Sequence, residues 1–186
     1  IIGNSYGITL SASDGNNITN NNIDATGSFS KGIRLKSSSA SNNILNNEIN
    51  STSYAVSIES SGSGGGNIIE NNTINPGNIG LYVLTSRNNN FTNNTINSTS
   101  GSLAAIYVNK NSDNNRFEEN NIIQAYNAIE LNFAQYGGYY LPENNVFVNN
   151  TLSNIANYHF DMDAPIGATI NGTYFIDQPI GKYLID

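Results

Sequence analysis

Two carboxylates and the chain's one histidine, Glu130, His159 and Asp161, fall where the spacing could bring them together. A Glu, a His and an Asp on one surface could supply the acid and base of glycoside cleavage, which needs two carboxyl groups flanking the scissile bond at roughly 5 to 9 Å. Lyase chemistry on uronic acids would instead need a base and a cation to neutralise the substrate carboxylate. Arg34 and Lys36 are candidates for that cation. The alternative to catalysis is plain contact: a Glu beside a His on an exposed sheet is often only a surface ion pair, as Lys36 beside Glu59 is expected to be.

These residues are positioned by two phrases that repeat along the chain. The first is a small residue, a large apolar residue, any residue and a second apolar residue: Gly7 to Leu10, Gly32 to Leu35, Ala55 to Ile58, Gly80 to Val83, Ala105 to Val108, Ala128 to Leu131 and, degenerately, Asn157 to Phe160. Copies start at residues 7, 32, 55, 80, 105, 128 and 157, so successive spacings are 25, 23, 25, 25, 23 and 29. The second phrase places an Asn pair between apolar residues: Ile18 to Ile23, Ile44 to Ile49, Ile69 to Ile74, Phe91 to Ile96, Phe147 to Leu152 and, with Glu119 for the first Asn, Phe117 to Ile122. A near-constant period in this range marks a solenoid.

Apolar residues two apart, among Ile, Val, Tyr and Thr, describe short strands, and no segment sustains a helical period. The fold predicted is all-β: a single-stranded parallel β-helix of about seven coils stacked ~4.8 Å apart. Ile18, Ile44, Ile69, Phe91, Phe117 and Phe147 would form one internal column, and Ile23, Ile49, Ile74, Ile96, Ile122 and Leu152 another. The second Asn of each pair (Asn21, Asn47, Asn72, Asn94, Asn120, Asn150) is expected both to take the sharp turn and to stack as an asparagine ladder, donating to the coil below and accepting from the coil above. Residues 1–164 form the repeats. The stretch 165–186, punctuated by Pro165 and Pro179, reads as a C-terminal β cap or the start of a next segment.

The phrases GIxL and IxNNTI resemble the right-handed parallel β-helix repeats of the pectate-lyase-like superfamily, and most closely the Asn-rich NosD-like repeats of archaeal and bacterial surface proteins, disaggregatases among them. The resemblance spans roughly residues 1 to 160 and implies right-handed coils and a polysaccharide-related surface role. The paired Asp and Gly-His-Gly motifs of polygalacturonases are absent.

On each GIxL strand the residue between the apolar pair points outward, giving the column Thr9, Arg34, Ser57, Tyr82, Tyr107, Glu130, His159. Beside it runs Ser11, Lys36, Glu59, Leu84, Asn109, Asn132, Asp161. By this register Glu130 and His159 are neighbours within hydrogen-bond reach. The longest insertion, Asn132 to Asn144, adds Phe133, Tyr136, Tyr139 and Tyr140. Tyr joins an apolar ring to a polar tip suited to sugars, so a carbohydrate groove is expected along Arg34, Tyr82, Tyr107, Asn109, Asn132, Tyr136, Tyr139 and Tyr140. The competing reading makes those tyrosines a lid packed over the sheet.

A net charge of −7 with seven dispersed Lys and Arg argues against nucleic acid or an anionic membrane as partner. No cysteine and no long apolar run are present, which removes disulfides, thiolate metal sites and membrane insertion. No cofactor is expected. Calcium at Asp161-Met162-Asp163 is the one metal left open, without the carboxylate spacing of a dedicated loop. The start at Ile1, part-way through a coil, reads as a fragment whose targeting signal lies upstream; N-x-S/T sequons such as Asn17 and Asn171 fit an exported chain. Three functions follow as alternatives: an extracellular or cell-surface module that binds polysaccharide or surface glycan, a glycoside hydrolase or polysaccharide lyase using the same face, or a structural element that self-associates end to end.

Overall fold

A computed structural model of the chain describes residues 1–59, 65–98, 101–132, 142–162, 167–176 and 183–185. Its strands lie in three parallel sheets of eight, eight and seven members, in each of which spatial order follows chain order. Each coil contributes one strand to each sheet, close to the expected seven coils. Sheet A contains strands such as Glu48–Ser51 and Thr73–Pro76. Sheet B contains the GIxL strands, from Tyr6–Ser11 and Lys31–Lys36 to Asn127–Leu131 and Phe160–Met162. Sheet C contains three-residue strands such as Asn90–Thr92 and Arg116–Glu118.

Both expected apolar columns are inside. Ile44, Ile69, Phe91, Phe117 and Phe147 are fully buried on sheet C, and Ile23, Ile49, Ile74, Ile96, Ile122 and Leu152 on sheet A. Removing each such side chain from water contributes about 1.5 to 3 kcal/mol. Phe91, Phe117 and Phe147 stack face to face with centroids 4.6 and 4.9 Å apart, and Phe160 closes the row edge-on at 5.9 Å.

The asparagine pair divides its work between its members. The first residue of each pair, not the second, takes the left-handed turn: Asn20, Asn46, Asn71, Asn93, Glu119 and Asn149 have φ between 53° and 57°. The second turns inward and forms the ladder. Asn47, for example, donates from Nδ2 to Asn72 Oδ1 in the next coil at 3.0 Å and to the Ile18 carbonyl of the preceding coil at 2.9 Å. Its own Oδ1 accepts from the backbone N–H and Nδ2 of Asn21. The amide thus accepts from the preceding coil alone and donates in both directions, a polarity different from the one expected.

A second ladder runs two residues before each sheet C apolar position, through Asn16, Asn42, Asn67, Asn89, Asn115 and Asn145, with amide-to-amide distances of 2.9 to 3.1 Å. Each of its members also follows a residue with positive φ: Gly15, Ser41, Gly66, Asn88, Asn114 and Asn144. Two amide columns therefore pin the two ends of sheet C, satisfying backbone groups that these sharp turns would otherwise leave buried and unpaired.

The strands Thr169–Asn171, Tyr174–Ile176 and Tyr183–Ile185 pair in parallel with sheets C, A and B, respectively.

Candidate functional site

The small residue that opens each GIxL strand sits where the chain bends out of sheet A. At Gly32 an added Cβ would run into Ile49 Cγ2 and lie 2.7 Å from the Ala55 carbonyl, so this position faces the interior corner. Beyond the bend, alternation resumes: Ile33 and Leu35 are buried while Arg34 and Lys36 face out. The outer face of sheet B then carries Arg34 opposite Ser57, Tyr82 opposite Tyr107, and Tyr107 opposite Glu130.

At the last of these strands the expected register is corrected. Ile129 pairs with Phe160, Glu130 with Asp161 and Leu131 with Met162. The strand lies two residues from the expected alignment, and Phe160 and Met162 take the inward positions. Asp161, not His159, therefore stands opposite Glu130. His159 falls at the small corner position beside Ala128 and is 0% exposed, so it does not share the outer face with Glu130.

At the upper end of the face, Asn127 Nδ2 is shared by both carboxylates, 3.2 Å from Glu130 Oε2 and 3.3 Å from Asp161 Oδ2. Asn132 Nδ2 donates to Glu130 Oε1 at 3.1 Å, and Asn157 Nδ2 to Asn127 Oδ1 at 3.0 Å. Glu130 is only 7% exposed. Two carboxyl groups and three amides are thus gathered by two segments distant in sequence, 127–132 and 157–161.

In the middle, Tyr54 stacks on Tyr82 at 5.0 Å and Tyr82 leans on Tyr107 at 5.7 Å. Rings stacked along the coil axis turn their faces to one another, leaving edges and hydroxyl groups for solvent. Burial pushes the Tyr82 phenol up, assisted by Tyr54 and Glu59 and opposed by the Asn109 hydrogen bond; burial and then Glu59 push Tyr54 up. Both phenols therefore stay protonated donors at neutral pH.

At the lower end Glu59 binds Arg34, with Nη2 to Oε2 at 2.6 Å and Nε to Oε2 at 3.0 Å, and also pairs with Lys31. Ser57 Oγ donates to Oε1 at 2.9 Å. Burial alone would raise the Glu59 carboxyl; the Lys31 and Arg34 hydrogen bonds, the Lys31 charge and Ser57 together outweigh it and hold it below its ordinary value. Lys36 is the register neighbour of Glu59, yet the carboxylate turns to Lys31 and Arg34, which correct the expected Lys36 pair.

Arg34, Tyr82, Tyr107, Asn109 and Asn132 thus share one face with Glu130 and Asp161, whereas Tyr136, Tyr139, Tyr140 and Asp163 lie outside the described residues. Lys31, Tyr54 and Asn127 complete the face and were missed in the sequence, because each sits before the GIxL phrase rather than within it. Among the described residues no group of three or more His, Asp and Glu could hold a metal ion, and no helix is long and apolar enough to cross a membrane.

The family described as a right-handed beta helix region matches residues 6–175. Among curated proteins no sequence matches. Among solved structures, the periplasmic alginate epimerase AlgG superposes with a TM-score of 0.81 at 20% identity, covering 94% of this chain and 42% of that one. The A-module of the Azotobacter vinelandii mannuronan C-5 epimerase AlgE6 superposes with a TM-score of 0.60 at 13% identity, covering 95% of this chain and 57% of that one. At these identities the likeness is one of fold, and the chain spans about half the length of either neighbour.

Proposed function

The chain belongs to the right-handed parallel β-helix family, and on that premise we propose that it is an extracellular or cell-surface module that binds polysaccharide along the outer face of sheet B. The observation that carries this reading is the continuous row from the Lys31–Arg34–Glu59 cluster through Tyr54, Tyr82 and Tyr107 to the Asn127–Glu130–Asp161 cluster. From Arg34 to Glu130 this is four strand steps, about 19 Å. Protonated phenols, amides and carboxylates offer the donors and acceptors that sugar hydroxyls require, and the two cations at one end suit a uronate carboxylate. AlgG and the AlgE6 module, similar in fold, are epimerases of alginate or mannuronan, and AlgG is periplasmic; this supports an acidic polysaccharide and a place outside the cytoplasm.

A second reading is enzymatic. Glu130 and Asp161 on adjacent strands, sharing one amide, form a carboxylate pair of the kind glycosidases use. Binding is favoured because Glu130 is nearly buried and spends both oxygens on Asn127 and Asn132, His159 is turned to the interior, and the cations lie far from the carboxylates.

The test is gel retardation and product analysis with neutral and uronic polysaccharides. Retardation by one of them, lost in Tyr82→Ala and Tyr107→Ala without product formation, is the expected result. New reducing ends or unsaturated products that disappear in Glu130→Gln would replace binding by catalysis. No retardation and no product, with concentration-dependent end-to-end oligomers, would refute both in favour of a structural element.

A further inference from the structure

The corner that carries the chain from sheet A to sheet B differs between coils. Two residues, Thr52 and Ser53, separate the strands Glu48–Ser51 and Tyr54–Glu59, and two more, Gly77 and Asn78, separate Thr73–Pro76 from Ile79–Leu84. Between Asn22–Ala25 and Lys31–Lys36 the corner instead runs from Thr26 to Ser30. At its tip stands Phe29, 89% exposed, with φ 59°.

Both properties are costly. A left-handed backbone strains any residue with a Cβ, and a bulky aromatic more than the Asn, Ser and Gly this chain places at most such turns. Exposing the ring forfeits the benefit of burying it. The loop is nevertheless firmly built. The Ser30 N–H donates to the Gly27 carbonyl at 3.1 Å, and Ser30 Oγ bonds the Ala25 carbonyl at 2.8 Å, Ser51 Oγ at 3.0 Å and Thr52 Oγ1 at 2.9 Å. Gly27 approaches the Asn4 carbonyl so closely that no Cβ would fit. The fold therefore anchors both sides of the turn and holds the ring out in solvent.

Beneath the ring lies an open groove of about 500 Å³, lined by Phe29 with Thr26, Ser28, Thr52, Ser53, Tyr54 and Asn78. That volume is in the range of small-molecule sites, and the lining joins an aromatic ring to hydroxyl and amide groups. Tyr54 both lines this groove and stacks on Tyr82, so the groove opens onto the tyrosine row. Along that row the ring faces are turned to each other, whereas Phe29, 89% exposed, offers a face for the apolar C–H side of a sugar.

We propose that the groove between Phe29 and Tyr54 is a lateral subsite for one pyranose ring, which stacks on Phe29 and hydrogen-bonds to the hydroxyl and amide groups of the groove. This rests on the reading of sheet B as a polysaccharide face, and adds that the glycan turns off that face at the sheet A corner. Strain at the functional position is then the expected signature of a residue retained for contact rather than stability.

The test measures affinity for a length ladder of oligomannuronates and of neutral gluco-oligosaccharides with wild type, Phe29→Gly, Phe29→Asn and Tyr82→Ala. Gly and Asn both accept the left-handed turn, so these variants are expected to melt no lower than wild type. Oligosaccharides long enough to reach the groove should bind about five- to ten-fold more weakly to both Phe29 variants, and shorter ones unchanged. Equal affinity of wild type and both Phe29 variants at every length, with Tyr82→Ala weakened, would overturn the subsite and leave the sheet B reading standing. Weakening in the Phe29 variants but not in Tyr82→Ala would keep the subsite and refute the face. Absence of binding by wild type to either ladder would refute both.

Discussion

Asn94→Ala tests the division of labour within the asparagine pairs. Asn94 is fully buried, and its Nδ2 donates to the Ile69 carbonyl at 2.8 Å and to Asn120 Oδ1 at 3.0 Å. Its Oδ1 accepts from Asn72 N at 3.1 Å and Asn72 Nδ2 at 3.0 Å. Truncation removes all four bonds, but the damage is uneven. Asn72 Nδ2 keeps the Ile44 and Glu70 carbonyls, and Asn120 Oδ1 keeps the Asn94 N–H. The Asn72 N–H loses its acceptor inside the protein, at about 1 to 3 kcal/mol, and the remaining losses add about 0.5 to 1.5 kcal/mol each. The expected cost is about 2.5 to 7.5 kcal/mol. The neighbouring Asn93 is exposed and serves as a left-handed turn with φ 54°, so Asn93→Gly should stay within about 0.5 kcal/mol of wild type. Urea unfolding followed by far-ultraviolet circular dichroism, with the m-value checked for loss of cooperativity, measures both. A cost below about 1 kcal/mol for Asn94→Ala, or equal costs for the two positions, would refute the ladder as a principal constraint on the coils.

Glu59 contributes a pH-dependent term. Its folded carboxyl titrates below the ordinary 4.5, so its stabilisation is present above that value and is lost as pH falls through it toward the folded pKa. The stability gap between wild type and Glu59→Gln should therefore narrow on acidification across this window; a gap constant with pH in thermal melts would contradict the assignment. In the core, Phe117→Ala removes the ring between Phe91 and Phe147 and should cost about 3 to 5 kcal/mol by urea unfolding, whereas Phe117→Ile, the residue type of Ile44 and Ile69 in the same column, should recover most of it.

Periodicity made much of this protein legible. Apolar residues two apart, recurring every two dozen residues, admit one arrangement in which every large side chain is covered, so the coils, both internal columns and the outward Arg34, Tyr82, Tyr107 and Glu130 positions could be assigned from spacing. The second ladder was equally written in the sequence, as an Asn two residues before each sheet C apolar position, but in a chain so rich in Asn its repetition was masked by chance neighbours.

What spacing could not decide were questions of equal patterning. Both members of an Asn-Asn pair have the same side chain, and only three-dimensional closure of the coil makes one a left-handed turn and the other a buried rung. A slip of two residues preserves inward and outward alternation, so Tyr158 and Phe160 fit the apolar positions as well as Phe160 and Met162 do. Packing chose the latter, sending His159 into the corner and Asp161 to Glu130. Likewise nothing local distinguishes Phe29 from a core aromatic: only the anchored corner, held by bonds to coils on either side, turns its ring to solvent. Sequence alone determined the repeating architecture, because burial of apolar residues is periodic and additive. Tertiary structure alone decided the surface chemistry, because that depends on register and corners, where a single coil departs from the repeat.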